Sequence, residues 1–252
     1  MKKIILFLSV ITLIASCSSD ADPLPAIDVN ANSVLVKKII ETEPSGNVIT
    51  TEYTYDGNKL VKTTDNDGFY EKFFYTGDVI TKIEFYNNTN QLEEQEFFEY
   101  NSSQQLISFQ NLILSFNQGK KEVYSYSGSN VNVSYYDGNV ASQTNLIGTG
   151  VINFTNGVVS SLTKNIGTTE IFTYTYDTKN SVAKNVLGSN KVSIVLDSDG
   201  LYWLGYSFNI LTETHTSGGT TTYSYVYNNQ NYPVSSTAVE NNIGTSTFQF
   251  MY

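Results

Sequence analysis

The chain has 252 residues, with one cysteine. It contains 24 acidic residues and 14 basic residues, all of them lysine, so its net charge is −10. An acidic surface without arginine disfavours nucleic acid as a partner, because phosphates are repelled and no side chain offers them a bidentate contact. A single cysteine also excludes a disulfide within the chain and a thiolate metal site, so the core alone must hold the domain together.

Residues 1–16 have the pattern of a secretory signal peptide. Lys2 and Lys3 precede an apolar run, residues 4–14, that is too short to span a bilayer. The run leads into Ile14–Cys17, an aliphatic residue, two small residues and a cysteine, which resembles the lipobox of bacterial lipoproteins. We therefore expect cleavage before Cys17 and lipidation of its thiol, which would make a membrane the partner of the mature protein.

Residues 17–33 are expected to form the lipidated cysteine and a flexible spacer, because the stretch after Cys17 is polar and contains two prolines. Within it, Ser18–Asp22 resembles the short acidic signals that send lipoproteins of Bacteroidetes-type envelopes to the cell surface. This resemblance implies a lipid-anchored protein of the outer membrane. Removal of Lys2 and Lys3 with the signal peptide leaves 12 lysines against 24 acidic residues, a mature charge of −12.

Residues 34–252 repeat one pattern, in which two aromatic residues flank a third residue and are followed by a polar turn and an aliphatic strand. The repeats recur mostly every 20 to 28 residues, a period that fits one hairpin per repeat. A gap of 51 residues follows Tyr176, and Ile194–Leu196 is interpreted as a weakened unit within that gap. The triplets end at Tyr55, Tyr75, Tyr100, Tyr126, Phe154, Tyr176, Tyr227 and Tyr252.

The spacing within each triplet places both aromatic residues on one face of a strand. The residue between them is polar in five of the eight triplets, for example Thr54 and Thr175, so one face is expected to be buried and the other wet. We predict a single all-β domain over residues 34–252, an antiparallel meander of repeated hairpins curled into an open or closed barrel-like sheet. Curling is required because a flat sheet would leave long edges and an uncovered apolar face.

Units such as Tyr53–Asn58 and Tyr174–Asp177 resemble the YD repeats of Rhs-type shell proteins. The run Tyr225–Pro233 resembles the tail of a Bacteroidetes lipoprotein family of unknown function, described as porin-like in fold. These resemblances imply an exported β-repeat protein with a porin-like fold, and the family offers no catalytic residues to carry over. The chain lacks the Gly-Arg pattern of Rhs repeats, and a mature chain of this length is too short to enclose a toxin.

Two D-x-D-G segments, Asp65–Gly68 and Asp197–Gly200, are candidate calcium loops, because clustered carboxylates supply hard oxygen ligands. Both lack the further acidic ligands of a full calcium loop, which favours a hairpin turn with glycine at the positive-φ position.

His215, the one histidine, has no cysteine partner for a zinc site and no Gly-x-Ser-x-Gly motif beside it. We interpret it as an exposed loop residue, and expect neither a metal nor a cofactor.

Glu93, Glu94, Glu96 and Glu99 are the candidate carboxylates of a glycan-active hydrolase, since two acids about 5–10 Å apart cleave glycosidic bonds. Glu94 and Glu96 would share one face of a strand, but nothing marks either of them as the proton donor. A solvated strand face is the favoured interpretation, so no residue is assigned a catalytic role.

Tyr202, Trp203 and Tyr206 lie in the most aromatic stretch of the chain and are the candidate ligand-binding residues. Flat aromatic rings bury a large area at little entropic cost, so this stretch offers a stacking platform for a glycan or an apolar ligand. Packing in the core is the competing interpretation.

The favoured function is a non-enzymatic envelope lipoprotein that acts as a binding or structural module. A glycan-active hydrolase is the first alternative. A small integral outer-membrane barrel is the second, because Phe248, Phe250 and Tyr252 alternate like the closing strand of such barrels. Against the second alternative, Thr, Ser and Asn fill the strand middles, where a lipid-facing wall needs aliphatic side chains.

Overall fold

Aromatic, β-branched and polar residues alternate along most of the chain, and this pattern produces an almost wholly β structure. The computed structural model describes residues 34–196, 207–241 and 243–252. Among them are sixteen strands and one short helix, α1 (Ser189–Val192). The strands are β1 (Lys38–Thr42), β2 (Val48–Asp56), β3 (Lys59–Asp65), β4 (Tyr70–Thr76), β5 (Val79–Tyr86), β6 (Leu92–Tyr100), β7 (Leu106–Ile113), β8 (Gln118–Ser127), β9 (Asn130–Asn139), β10 (Ser142–Thr155), β11 (Val158–Ile166), β12 (Thr168–Tyr176), β13 (Ile210–His215), β14 (Gly219–Tyr227), β15 (Pro233–Glu240) and β16 (Gly244–Met251).

The strands form one closed antiparallel barrel in which each strand pairs with its neighbours in sequence. The barrel closes where β1 pairs with β16, with Lys38 opposite Met251. The predicted antiparallel meander of hairpins is therefore confirmed, and of its open and closed forms the closed barrel is found. Closure removes the exposed edges that a flat meander would have.

The connections between strands divide into two sets, one at each end of the barrel, because successive strands alternate in direction. The turns after the odd-numbered strands lie at one end, which we call the mouth. The turns after the even-numbered strands lie at the other. One connection in this second set is long, residues 177–209 between β12 and β13, and its described residues 182–196 pack into the core of the barrel, where they form a plug. We call this end the plugged end.

The plug fills the part of the lumen that the side chains of the barrel wall do not reach. A barrel of about sixteen strands has a lumen too wide for its own side chains to fill. Ile194 and Leu196 of the plug lie beside Tyr135, Ile152 and Leu162 on the inner wall. The interpretation of Ile194–Leu196 as a weakened hairpin strand is therefore wrong, because these residues fill the lumen instead of extending the sheet. The plug residues buried in the core are Val182, Ala183, Val186, Val192, Ile194 and Val195.

Polar bonds close the neck of the plug, where the chain leaves β12 and returns to β13. The Asp177 carboxylate accepts hydrogen bonds from the backbone amides of Lys179 at 2.9 Å and Asn209 at 3.1 Å. It also accepts one from the Tyr227 hydroxyl and one from the side-chain amide of Asn209, the latter at 3.1 Å. A single carboxylate thus joins both arms of the neck to β14.

Asn185 ties the interior of the plug to its surroundings. Its side-chain amide donates to the Val34 carbonyl at 3.0 Å and to the Tyr232 hydroxyl at 2.7 Å. Its own carbonyl accepts a bond of 3.0 Å from the Asn58 side chain in the turn after β2. The first described residue of the chain and two turns of the plugged end are thereby fastened to the plug.

The aromatic triplets face the interior, as predicted. Tyr53 and Tyr55 pack against the core and Tyr174 is buried within it, whereas the intervening Thr54 and Thr175 are exposed. Neighbouring strands bring such rings together, and those of Phe98 and Phe109 lie 5.3 Å apart. The buried core rings of the strands are Phe73, Phe98, Phe109, Tyr124, Tyr135, Tyr174, Tyr223, Phe248 and Phe250.

Tyrosine hydroxyls link successive hairpins at the plugged end. Tyr100 donates a hydrogen bond of 2.6 Å to the carbonyl of Ile80 in the preceding hairpin. Ile80 lies beside a register shift in the β4–β5 pair, where the regular ladder of backbone bonds is interrupted. The same arrangement joins Tyr126 to Leu106, Tyr176 to Val159, Tyr225 to Ile210 and Tyr252 to Pro233.

Candidate functional site

Several predicted site residues lie outside the described part of the chain. These are the lipidation site Cys17, the aromatic candidates Tyr202, Trp203 and Tyr206, and the second D-x-D-G segment, residues 197–200. Their roles stay predictions. Among the described residues, the candidate site comprises the inner wall and the rim of the mouth.

The first D-x-D-G segment forms the turn between β3 and β4. Oδ1 of Asp65 accepts hydrogen bonds of 2.9 Å from the backbone amides of both Asp67 and Phe69. Gly68 has a φ of 89°, the left-handed conformation that favours glycine. Asp65 thus stabilises its own turn, which agrees with the hairpin interpretation.

The carboxylates of β6 are divided between the two faces of the strand. Glu93 and Glu99 are exposed on the outer wall, whereas Glu94 and Glu96 face the interior, opposite Phe85 and Ile83 of β5. The solvated-face interpretation is wrong for Glu94 and Glu96, because the barrel encloses the face that they share. Glu96 has no exposed surface and offers no contact to a substrate.

His215 is not a loop residue, and the prediction of an exposed loop is wrong. It ends β13 and faces inward, where its half-buried ring lies 4.2 Å from the ring of Phe172. The Ser217 hydroxyl donates to Glu170 at 2.8 Å and lies 3.4 Å from Nδ1 of His215. In a catalytic triad the histidine lies between serine and acid, but here the serine lies between the other two, so the order of a triad is absent.

A cavity of about 380 Å³ opens at the mouth next to His215. Its apolar lining includes the side chains of Phe172, Tyr223 and Phe248. Its polar lining includes Glu41, Glu213, Glu240 and His215, which follow the inward register of β1, β13 and β15. Burial raises the pKa of Glu41, and the neighbouring carboxylate of Glu43 raises it further. The cavity combines an aromatic surface with several carboxylates, a pairing that suits a ligand that is both apolar and positively charged.

The mouth half of the interior is acidic beyond this cavity. Two lysines, Lys120 and Lys164, follow the same inward register, and Nζ of Lys164 lies 5.0 Å from the centre of the Tyr135 ring. The carboxylates outnumber them several-fold, so the mouth attracts cations and repels anions. The inward carboxylates include Glu41, Glu71, Glu94, Glu96, Glu122, Asp137, Glu170, Glu213 and Glu240.

The rim of the mouth carries large apolar side chains that sequence reasoning missed. Phe116, in the turn after β7, is 73% exposed, and Ile243, in the turn after β15, is 64% exposed. Phe69, Leu146 and Val48 are also exposed near this end. The signal in the sequence was a large apolar residue inside a short turn, a position that polar residues normally occupy.

The outer wall of the barrel is largely polar. On β3–β5, Nζ of Lys72 lies 4.7 Å from the centre of the Tyr86 ring, which stacks on Tyr70 at 4.7 Å. On β12 and β13, the hydroxyls of Thr175 and Thr212 lie 2.6 Å apart. Outward positions of β9–β16 include Asn132, Ser134, Thr149, Asn153, Ser161, Thr163, Thr173, Thr175, Thr212, Thr214, Thr222, Ser224, Thr237 and Thr247.

Comparisons with known proteins identify a fold. No family model and no curated protein matches the chain. A porin-like protein from Bacteroides vulgatus is similar in structure, with 15% sequence identity, a TM-score of 0.54, and coverage of 87% of this chain and 99% of that one. A porin-like protein from Bacteroides uniformis gives 12% identity, a TM-score of 0.40, and coverage of 86% and 96%. The similarity to the Bacteroides vulgatus protein agrees with the porin-like fold that the sequence resemblance implied. At 15% identity, this similarity shows the fold alone.

No helix among the described residues is both long and apolar enough to cross a membrane.

Proposed function

We propose that this chain is a non-enzymatic envelope protein, tethered to the outer membrane by lipid on Cys17, whose barrel offers its mouth cavity to a ligand. The observation that carries the proposal is the contrast between a filled interior and a polar outer wall. A plug and core rings occupy the lumen at the plugged end, so the barrel has the form of a cup. Threonines and lysines on the outside suit water better than hydrocarbon.

An integral outer-membrane barrel is the second candidate, because the barrel is closed and has an even number of antiparallel strands. Such a barrel needs an apolar outer band about 25 Å tall. Here Thr175, Thr212 and Lys72 point outward from their strands, at positions where a lipid-facing wall would need apolar side chains. A hydrolase has less support, because Glu96 is wholly buried and Ser217 and His215 lack the order of a triad.

Membrane release distinguishes the two leading candidates. Residues 1–17 are replaced by the cleavable signal peptide of a non-lipidated exported protein, so that export continues without a lipid. We expect this variant to leave the membrane fraction and to stay folded in buffer without detergent, because the lipid would be its attachment. The matched control is Ser18→Ala in the full chain, which keeps the lipidation cysteine and is expected to remain membrane-bound.

Fractionation with a carbonate wash, followed by circular dichroism of the released protein, provides the readout. A variant that stays in the washed membranes, or that folds only after detergent is added, would overturn the tethered-cup proposal in favour of the integral barrel.

A further inference from the structure

We propose that the mouth docks a cationic amphipathic peptide, with the apolar side chains of the peptide on the rim and its basic side chains at the cavity carboxylates. This inference rests on the proposed function, since it names the class of ligand that the cavity receives. It depends on three features of the mouth, namely its exposed apolar residues, their continuity with the cavity and the sign of the charge inside.

The apolar residues of the turns are concentrated at the mouth. Phe69, Phe116 and Ile243 all lie in mouth turns and all are exposed. The short turns of the plugged end are polar, and they consist of glycine, asparagine, serine, aspartate, glutamine and tyrosine at residues 57–58, 77–78, 101–105, 128–129, 156–157 and 228–232. Exposed apolar side chains gathered at one end of a molecule mark a surface that contacts a partner.

Part of this rim is continuous with the cavity. Ile243 and Pro44 both line the cavity, and Gly244 packs so closely on Pro44 that a Cβ there would lie 2.8 Å from the Cβ of Pro44. The turn after β3 is fastened to the adjacent strand β2, because the Asn66 side chain accepts a hydrogen bond of 2.8 Å from the Thr50 amide. Pro44, Phe69 and Ile243, one residue from each of three adjacent mouth turns, make up an apolar lip at this side of the mouth.

The charge of the mouth selects the partner that would cover this lip. Glu41, Glu213 and Glu240 line the cavity, so an anionic lipid surface or an acidic glycan would be repelled. A lysine or arginine side chain would meet these carboxylates with its charge, while its alkyl stem lies on the rings of Phe172 and Tyr223. The cavity volume of about 380 Å³ admits a few side chains and not a folded domain, which favours a peptide.

Binding is measured by fluorescence anisotropy with the full-length mature protein and a labelled synthetic peptide that has lysine on one helix face and leucine on the other. Two further peptides separate charge from apolar contact, one with glutamate for lysine and one with serine for leucine. We expect the lysine–leucine peptide to bind at least about tenfold more tightly than either of these, because each lacks one of the two matching features.

Variants of the protein test the location. Ile243→Ser should weaken binding about tenfold, whereas Val226→Ser, which alters an outer-wall residue with a similar exposure of 60%, should have no effect. Glu213→Gln combined with Glu240→Gln should weaken binding at low salt and reduce its salt dependence, whereas Glu99→Gln on the outer wall should change neither.

Equal binding of the serine-containing peptide, or equal loss in the rim and outer-wall variants, would overturn the inference. So would preferential binding to vesicles of zwitterionic lipid, which would identify the rim as a lipid-contact surface. The test is independent of membrane release. A protein that leaves the membrane as a folded barrel but binds no lysine–leucine peptide would refute the ligand class and leave the tethered cup intact.

Discussion

At the scale of single residues, hydroxyl bonds to backbone carbonyls account for the tyrosine that ends four of the repeats, namely Tyr100, Tyr126, Tyr176 and Tyr252. Each register shift leaves a backbone carbonyl beside an interrupted ladder, and a buried carbonyl without a partner is costly. The hydroxyl of Tyr100 supplies that partner to Ile80. The same reasoning accounts for the phenylalanine at the end of one repeat. No register shift occurs at Val131, and Phe154, the corresponding position of the next repeat, has no hydroxyl.

Tyr100→Phe should therefore lower the free energy of unfolding by about 1–3 kcal/mol, because it leaves the carbonyl of Ile80 without its partner. The matched control is Tyr55→Phe. The Tyr55 hydroxyl is buried and has no hydrogen-bond partner among the described residues, so its removal should be neutral or slightly stabilising. Urea denaturation of the two variants and the parent protein provides the comparison. Equal losses of stability would show that the hydroxyl bond is not the cause.

At the scale of elements, the plug shows how one position in a repeat can acquire a different role. Tyr55–Asp56 and Tyr176–Asp177 are the same YD pair in sequence. Asp56 is exposed at the start of a tight turn, whereas Asp177 gathers four hydrogen bonds at the neck of the plug. The two pairs differ in the length of the next connection. Two residues separate Asp56 from the next strand, whereas residues 177–209 separate Tyr176 from β13.

Asp177→Ala should loosen the plug and cost about 2–4 kcal/mol of stability, because buried donors from both arms of the neck lose their common acceptor. Asp56→Ala is the control and should change stability by less than about 0.5 kcal/mol, as expected for an exposed side chain. Limited proteolysis with mapping of the cut sites tests the location of the change, and faster cleavage is expected within residues 178–208. Equal rates of cleavage within residues 178–208 in the two variants would contradict the special role of the neck.

The sequence was sufficient to predict the hairpins, the inward aromatic triplets and the antiparallel order, because strand alternation is a local signal. It was not sufficient for the plug, because the valines and the single isoleucine of residues 182–195 give the same pattern whether they fill a lumen or form a strand. It also missed the inward Glu94, Glu96 and His215. Alternation tells which residues share a face, but it does not tell how far along the barrel axis a residue lies, and here the interior changes from apolar to acidic along that axis.

At the scale of the whole molecule, the buried tyrosines give the barrel a sensitivity to alkali. Burial raises the pKa of Tyr126 to about 12 and raises the pKa values of the other buried tyrosines further. An unfolded tyrosine titrates near a pH of about 10, so above this pH the unfolded chain releases protons that the folded protein retains. The stability is therefore fully present below a pH of about 10 and is lost as the pH rises. The tyrosines concerned include Tyr53, Tyr55, Tyr75, Tyr100, Tyr126 and Tyr225.

We expect cooperative unfolding within about 1–2 pH units above 10, since each such group lowers the free energy of unfolding by up to about 1.4 kcal/mol per pH unit. The tyrosinate absorbance and the far-ultraviolet circular dichroism should change together as the pH is raised. The control is a titration in concentrated urea, where the absorbance should rise near a pH of about 10. An absorbance rise in buffer at that same pH, with unchanged circular dichroism, would mean that the hydroxyls are accessible in the folded barrel.

The seam between β1 and β16 has a consequence for the chain before the barrel closes. Lys38 and Met251 meet from nearly opposite ends of the described sequence, so the two strands that flank the seam remain open until the sheet is otherwise complete. β16 is rich in threonine and phenylalanine, and an open strand of this kind is a template for pairing with another copy of the chain. Lys38 and Glu41 on β1 place charges beside this edge. These charges oppose aggregation during the interval in which the barrel is still open and two strand edges are unpaired.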